Sequence, residues 1–238
     1  MKLKILSSGS SGNCYILQSD KEQLILDNGI PLKQIKAGLG FNVSNVAGCL
    51  VTHKHKDHDL TSKDLIKMGL NVIRPFDNSN KHTTLKKGSL FSTKTFELKD
   101  TQGNWVHTNG DGSQCPIYGY FIKLPNNETL VYATDAEFIK YRFKNVNHFL
   151  IGVDYDLDTL DETEEVEAKK YHVYTGHHSI QAACKFIQAN QSQMLKSVTL
   201  CHLSSQNGSP EKFKEMMQEV VGDNVNVYIA KKGLEIEL

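Results

Sequence analysis

One short run constrains this chain of 238 residues more than any other, because positions 53–58 read His-Lys-His-Lys-Asp-His. Imidazole and carboxylate are side chains that zinc, manganese and iron accept as ligands. Two histidines at i and i+2 of an extended segment project to the same side, so one ion can bind both His53 and His55. Asp57 and His58 are adjacent in sequence and point in different directions, so they can serve a second ion. The spacing therefore predicts a centre for two metal ions.

The segments on both sides of this run favour a rigid ligand loop. A short apolar stretch typical of a β-strand, Cys49–Thr52, comes directly before it, and Ser62–Met68 has the pattern of a helix after it. A loop that is fixed at a strand end and at a helix start holds its side chains in place. The alternative is a solvated loop in which histidine and lysine happen to alternate, and the match of the whole run to a specific pattern argues against it.

The spacing His-x-His-x-Asp-His resembles the signature of the metallo-β-lactamase superfamily. Residues 6–17 (Leu-Ser-Ser-Gly-Ser-Ser-Gly-Asn-Cys-Tyr-Ile-Leu) are similar to a bacterial branch of single-domain hydrolases, related to the WalJ/YycJ-type nucleases and to small phosphodiesterases. The resemblance extends along nearly the whole chain. It implies the α+β class and the four-layer αβ/βα sandwich of the metallo-β-lactamase fold.

Hydrophobic patterns place strands and helices along the chain. The predicted strands are 2–6, 14–18, 24–27, 49–52, 90–98, 105–107, 117–124, 129–133, 149–153, 197–201, 225–230 and 234–238. The predicted helices are 31–38, 62–68, 136–140, 179–189 and 210–221. By themselves these patterns indicate one mixed α and β domain over residues 1–238, a length that suits one full core.

Composition limits the classes of function. Lys plus Arg and Asp plus Glu both number 27, which gives no overall attraction to nucleic acid or to an anionic membrane. No apolar stretch is long enough to span a membrane, and the residues before Ser7 are too few for a signal-peptide core. The five cysteines are scattered without a Cys-x-x-Cys pair, as in reduced proteins. We therefore expect a cytoplasmic protein without membrane contact.

An acidic run occupies residues 156–167. Such a run is usually a solvated face. It slightly disfavours a large nucleic-acid surface, and an exposed insertion and a subunit contact are two further interpretations. The resemblance also admits a homodimer, because members of the family often form dimers.

Strand ends supply candidates for the remaining ligands. Asp135 follows an apolar strand, where the resemblance implies a carboxylate that bridges both ions; the alternative is a cap for a helix at 136–140. His202 begins a segment, residues 202–207, that resembles the late His-Leu-Ser motif of the branch, whose histidine binds the second metal. The alternative for His202 is a hydrogen-bonded histidine at a strand end.

His107 departs from the pattern of the branch. The corresponding histidine is usually followed by aspartate, which Thr108 replaces here, and the interval before Gly119-Tyr120 is longer. An inserted loop after the ligand explains the departure, and Asp111 in that loop is a weaker substitute. The implied first site is His53, His55 and His107, the implied second site is Asp57, His58 and His202, and Asp135 joins them.

Asp27 ends a predicted strand where the family has a carboxylate that hydrogen-bonds a histidine of the motif. Such a carboxylate orients the imidazole and raises its basicity. The usual Asp-Ala-Gly or Asp-Cys-Gly is Asp27-Asn28-Gly29 in this chain. A simple Asx turn is the alternative.

The donor set implies hydrolysis with two divalent ions, zinc in the first place and manganese or iron as alternatives. A water that bridges two such ions becomes a hydroxide nucleophile, while the ions hold the oxygens of a phosphodiester. Asp57 and His177 are the predicted catalytic residues. The resemblance implies that His177, at a helix start, contacts the phosphate and protonates the leaving oxygen, with His178 able to share this role. Helix capping or packing is the alternative for His177.

The loop that contains Ser8 and Asn13 is predicted to lie beside the metals and to contact a phosphate, with a tight structural turn as the alternative. We therefore expect a metal-dependent phosphodiesterase. Its substrate is either DNA or RNA ends or a cyclic or other small nucleotide. A hydrolase of a lactam, lactone or thioester on the same two ions is a second hypothesis. A non-catalytic, metal-stabilised binding protein is the third.

Overall fold

The structure of the chain is a computed structural model, which describes residues 1–79, 82–162, 177–204 and 208–238. Its strands are β1 (Lys2–Ser7), β2 (Cys14–Gln18), β3 (Gln23–Leu26), β4 (Val46–Leu50), β5 (Val72–Ile73), β6 (Ser92–Glu97), β7 (Tyr118–Lys123), β8 (Thr129–Ala133), β9 (His148–Gly152), β10 (Ser197–Cys201), β11 (Asn226–Ile229) and β12 (Glu235–Glu237). Its α-helices are α1 (Leu32–Gly38), α2 (Ser62–Lys67), α3 (Leu157–Glu162), α4 (Ile180–Asn190) and α5 (Pro210–Val221), and a 3-10 turn covers Val43–Asn45.

The strands form two six-stranded sheets of similar design. The first has the order β12-β1-β2-β3-β4-β5, and the second has the order β11-β10-β9-β8-β7-β6. Pairing is antiparallel from β12 to β3 and parallel from β3 to β5. In the second sheet β11 to β8 are parallel, and β7 and β6 are antiparallel. Parallel strands direct their carboxyl ends to one edge, where loops can bring functional side chains together.

Three buried clusters show the order of the layers. The cluster between the sheets contains residues of both, such as Leu17 and Tyr132. A second cluster packs the outer face of the first sheet against α1 and α2 through Ile35 and Leu65. The third packs the outer face of the other sheet against α4 and α5 through residues such as Phe213. This helix–sheet–sheet–helix order confirms the predicted four-layer sandwich.

Several local predictions differ from the structure. The helix predicted at 136–140 is wrong, because Asp135 turns the chain with φ +51° and the following residues continue without helix. In this segment the rings of Tyr141 and Phe143 both pack against Phe96, which belongs to the edge strand β6. The strand predicted at 105–107 is reduced to a single bridge between Lys99 and Trp105.

The other differences concern short elements. Strand β5 and helix α3 were not predicted, since each is too short to carry a periodic pattern. The caps of the two long helices agree with the sequence, because Ser179 and Ser209 each accept a hydrogen bond from a backbone N–H of the first turn. Of the acidic run, the part after Glu162 lies outside the described residues. No helix in the described ranges is long and apolar enough to cross a membrane.

Candidate metal centre

His53, His55 and His107 form the first cluster of candidate ligands, with their ligand atoms within 4.8 Å of one another. The Nε2 atom of His107 lies 3.0 Å from Nδ1 of His55. His53 is fully buried, and within the described ranges its Nε2 atom has no hydrogen-bond partner. That atom lies 3.6 Å from Oδ2 of Asp135, which belongs to the next cluster. A buried imidazole nitrogen without a hydrogen-bond partner is suited to bind a metal ion.

Asp57, His58, Asp135 and His202 form the second cluster. The Nε2 atom of His58 lies 2.7 Å from Oδ2 of Asp135 and 3.2 Å from Oδ2 of Asp57. The latter oxygen is also 3.3 Å from Nε2 of His202. Asp135 therefore lies between the two clusters, since the same oxygen faces His53 of the first and His58 of the second.

These distances fit ligands that share an ion. Four atoms placed about 2.1 Å from a tetrahedral ion lie about 3.4 Å from one another. The donor set, nitrogen from imidazole and oxygen from carboxylate, also suits zinc, manganese or iron. All seven predicted ligands are therefore gathered in two adjacent clusters joined by Asp135. Their roles as ligands stay a prediction.

Strained backbone at strand ends directs several of these side chains. Asp27 follows β3, Asp135 follows β8 and His202 follows β10, and their φ angles are +54°, +51° and +56°. Residues with side chains rarely adopt this left-handed region, and such strain concentrates at functional sites. In each case the turn directs a polar side chain back across the carboxyl edge of the sheets. The capping alternative for Asp135 disappears with the helix that it would have capped.

Asp27 binds a histidine of the motif as predicted. Its Oδ2 atom lies 2.7 Å from Nδ1 of His58 and accepts a hydrogen bond of 2.5 Å from the hydroxyl of Tyr132. Its Oδ1 atom accepts from the backbone N–H of Thr52 at 2.8 Å. These contacts fix the ring of His58, with Nδ1 on Asp27 and Nε2 free to face the cluster. The side chain of Asp27 is therefore directed to the histidine and the motif strand, which disfavours a simple Asx turn.

The loop after His107, where the sequence departs from the pattern of the branch, contacts a histidine of the motif. Asn109 was not among the residues predicted to lie at the site. Its Oδ1 atom lies 3.1 Å from Nε2 of His55. Nδ1 of the same ring then faces the cluster. Asp111 turns away and accepts hydrogen bonds from the backbone and hydroxyl of Ser113. It lies outside every ligand cluster among the described residues.

Asp154 was missed by the sequence analysis. It is 5% exposed, and its Oδ1 atom lies 2.6 Å from Nδ1 of His202 and 3.0 Å from Nδ1 of His177. Together with Asp135, these three residues form a third group that could hold a metal ion. The signal was present, because Asp154 follows the buried strand predicted at 149–153 just as Asp135 follows its own strand.

His177 lies at the clusters, although Gly176 before it is outside the described residues. Its ring centre is 5.7 Å from that of His107 and 6.1 Å from that of His202. Burial opposes protonation, but the carboxylate of Asp154 raises the pKa of His177 above its usual value. A cationic imidazole can donate a proton, so the predicted role of His177 as an acid stays a prediction that this position allows.

His178 lies in a different environment. It is 2% exposed, and its Nδ1 atom lies 3.1 Å from the carbonyl oxygen of Gly152, to which the N–H donates. Burial lowers its pKa to about 4. The ring is thus neutral and held by the backbone of β9, which favours a packing role over contact with substrate.

Ser8 and Asn13 hold the ligand loops in place. The Ser8 hydroxyl accepts from the backbone N–H of His202 at 2.9 Å. Asn13 is fully buried; its backbone N–H donates to the carbonyl of Asp57 at 2.7 Å, and its Oδ1 atom accepts from Gly9 at 2.9 Å. Contact of these side chains with a phosphate stays a prediction. The end of the predicted 202–207 motif, residues 205–207, lies outside the described part of the chain.

When no metal ion is bound, neighbouring carboxylates favour the protonated form of the two histidines in the second cluster. Burial opposes charge on His58 and His202, yet Asp135 together with Asp27 or Asp154 raises the pKa of each well above its usual value. Burial likewise opposes the charge on Asp57, but hydrogen bonds from His202 and His58 hold its pKa below the usual range. Negative and positive groups thus balance inside the cleft, and divalent ions would displace the protons.

Two exodeoxyribonucleases are similar in sequence to this chain. No family model matches the chain. Exodeoxyribonuclease WalJ of Streptococcus pneumoniae is 25% identical over 235 residues, which cover 88% of this chain and 84% of that protein. Exodeoxyribonuclease YycJ of Bacillus anthracis is 25% identical over 243 residues, which cover 93% of this chain and 89% of that protein.

Solved structures share the fold. The metallo-β-lactamase fold protein YhfI from Bacillus subtilis superposes with a TM-score of 0.70 at 15% identity, covering 99% of this chain and 98% of its own. The short form of human tRNase Z gives a TM-score of 0.60 at 12% identity, covering 100% and 99%. The motif, the two sheets and the matches along most of the sequence agree: the chain has the metallo-β-lactamase fold and is similar in sequence to the WalJ/YycJ exonucleases.

Proposed function

We propose that this protein is a metal-dependent phosphodiesterase that removes nucleotides from DNA ends. The observation that carries the proposal is the pair of ligand clusters joined by Asp135, with the ring of His177 next to those of His107 and His202. The curated relatives of matching length are both named exodeoxyribonucleases, which favours DNA ends over a small cyclic nucleotide. We propose zinc as the resident metal, with manganese as the alternative.

In this proposal His53, His55 and His107 would hold one ion and Asp57, His58 and His202 the other, and Asp135, which lies between the two clusters, would serve both. When bound, two divalent ions would lower the pKa of a water and neutralise charge on the phosphate oxygens. The protein orients these ligands through residues behind them, namely Asp27 for His58 and Asn109 for His55. Such supporting contacts fix the ring orientation and tune the ion.

The leaving-group side belongs to His177 in the proposal. Its Nδ1 atom is engaged with Asp154, so Nε2 is the atom that can hold a proton toward the leaving oxygen. Asp154 supports the cationic form, and the proton passes to the leaving alkoxide of the nucleotide as the bond to phosphorus breaks. His177 is therefore the general acid, and Asp154 is its positioning residue.

Hydrolysis assays test the proposal. Protein loaded with zinc or manganese would be given bis-p-nitrophenyl phosphate, end-labelled DNA, RNA, cyclic nucleotides and the lactam nitrocefin, with His58→Ala as a control. We expect turnover of the phosphodiester and release of mononucleotides from DNA ends, both lost in the variant and in EDTA. Turnover of nitrocefin alone, or of no phosphodiester despite bound metal, would refute the proposed function.

A further inference from the structure

A cavity of about 300 Å³ opens beside the candidate metal centre. It is lined by Ser10, Ser11, Gly29, Lys56, Asp57 and Leu60. Asp57 is at once a wall of this cavity and a member of the second ligand cluster. A group bound in the cavity would therefore lie directly next to the reacting phosphate. We call this space the Lys56 cavity.

The donors of the Lys56 cavity are not engaged with the protein. The side chains of Ser10, Ser11 and Lys56 are exposed, and within the described ranges they make neither hydrogen bonds nor ion pairs. Lys56, Ser10 and Ser11 line the same space. An ammonium and two hydroxyls with free hydrogen-bonding capacity suit an anion with several oxygens, such as a phosphate.

The walls of the Lys56 cavity are fixed to the metal centre. The turn that carries Ser10 and Ser11 is closed by the hydrogen bond from Gly12 N–H to the Gly9 carbonyl at 2.9 Å. Asn13 then joins this turn to the backbone of Asp57. A Cβ atom at Gly29 would meet the Asp57 carbonyl oxygen at 1.7 Å, so glycine is required for this close packing. The cavity therefore has a defined position relative to the ligands and does not depend on a loose loop.

Size and polarity indicate what the cavity accepts. A volume of about 300 Å³ lies at the small end of ligand sites and suits one nucleotide, whereas a duplex requires a long groove. Leu60, which is 38% exposed, offers an apolar surface for a sugar or base face next to the polar donors. The carboxylate of Asp57 is the acidic group among the lining residues, and it faces the ligand cluster.

We propose that the Lys56 cavity binds the terminal nucleotide of a DNA strand and that Lys56, Ser10 and Ser11 recognise its terminal phosphate. This inference rests on the proposed function and deepens it, because it explains how the same centre would select ends. An internal strand would carry a further nucleotide beyond the bound one, for which a cavity of about 300 Å³ has no room. Lys56 is a specificity residue in this account, and the hydrolysis itself stays with the centre.

The second lysine of the motif provides a matched control. Lys54 is also exposed and occupies the other variable position of the His-x-His-x-Asp-His run, but it does not line the cavity. Lys54 is close instead to Asp111, whose pKa is lowered mainly by hydrogen bonds from Ser113 and, more weakly, by the charge of Lys54. Lys54→Met and Lys56→Met each remove one positive charge beside the metal ligands, and only the second removes a wall of the cavity.

Binding of four oligonucleotides of one sequence tests the inference. They carry a 5′-phosphate, a 5′-hydroxyl, a 3′-phosphate or a 3′-hydroxyl, and an internal fluorophore reports anisotropy in EDTA at low salt. A charge-assisted hydrogen bond contributes about 1.5 to 3 kcal/mol, which corresponds to about tenfold or more in Kd. We expect one terminal phosphate to tighten binding about tenfold in the wild type and in Lys54→Met, and not in Lys56→Met. The end that shows this gain gives the polarity of the enzyme.

Hydrolysis by the metal-loaded protein provides a second readout. The ratio of kcat/KM for the phosphate end to that for the hydroxyl end should fall to near one in Lys56→Met, mainly through KM, and should recover in Lys56→Arg. Equal binding of phosphate and hydroxyl ends by the wild type would overturn the inference, and so would equal losses in Lys54→Met and Lys56→Met. Failure of the proposed function is a separate result, since it shows as absent hydrolysis of every DNA while the binding comparison still reports on the cavity.

Discussion

The environment of His178 favours a packing role over a catalytic one, and the pH dependence of stability tests this role quantitatively. The ring is buried against the backbone of Gly152, and burial lowers its pKa from 6.5 to about 4. The unfolded chain therefore takes up a proton near the ordinary histidine pKa, whereas the folded chain resists protonation until the pH is much lower. Between the two pKa values the unfolded state binds more protons, so the free energy of unfolding falls as the pH falls.

The size of this effect follows from the two pKa values. For a shift from 6.5 to about 4, the stability lost between about pH 7.5 and about pH 5 is about 2 kcal/mol. His178→Leu removes the titrating group and also the buried Nε2 atom, for which the described residues provide no hydrogen-bond partner. We therefore expect the variant to gain about 2 kcal/mol relative to the wild type over this pH range.

Urea unfolding at both pH values measures the difference. Wild type and His178→Leu would be compared in EDTA, so that metal binding does not contribute to the pH dependence. Parallel loss of stability in the two proteins would refute the buried, neutral state of His178. A folded His178→Leu protein that binds metal but has lost DNA hydrolysis would instead restore the substrate-contact hypothesis.

Three further predictions concern the groups around the ions. Asp27→Asn should weaken metal binding about 10- to 100-fold by calorimetry, because the carboxylate orients His58, while Tyr132→Phe, which removes one hydrogen bond to Asp27, should weaken it less. Asp154→Asn should move the basic limb of the pH–kcat profile to lower pH, because Asp154 raises the pKa of His177; an unchanged limb would exclude this pairing. Metal binding near neutral pH should release protons from the second cluster, including the proton on His58, and the affinity should therefore weaken as the pH falls. Calorimetry in buffers of different ionisation enthalpy should then give a binding heat that varies with the buffer.

Much of the fold and centre could be predicted from the sequence because the determinants are local. The motif run fixes four ligand candidates within six positions, and strands that end on Asp135 and His202 are visible as apolar runs before a polar residue. The four-layer arrangement came from resemblance, since strand patterns alone do not state which sheet a strand joins. The comparison with solved structures and the three buried clusters confirmed it.

The remaining features depend on contacts between distant segments. Asp154 contacts His177 and His202, which lie far from it in sequence, so no sequence spacing indicates that these three residues form a group. Asn109 reaches His55 only because the hairpin after His107 folds over the motif. The helix predicted at 136–140 failed because a left-handed Asp135 and aromatic packing on Phe96 override the local preference of that segment. Tertiary contacts decided each of these cases.

Metal content of wild type and Asp135→Asn tests the central claim most directly. The variant keeps the shape of a side chain that contacts both clusters but removes its charge. After loading with zinc and desalting, mass spectrometry should find two ions in each wild-type chain and fewer in the variant, with turnover of bis-p-nitrophenyl phosphate lower by about 100-fold or more, as expected when charge stabilisation at a reacting phosphate is lost. Two tightly held ions and undiminished turnover in Asp135→Asn would contradict a centre that this carboxylate joins.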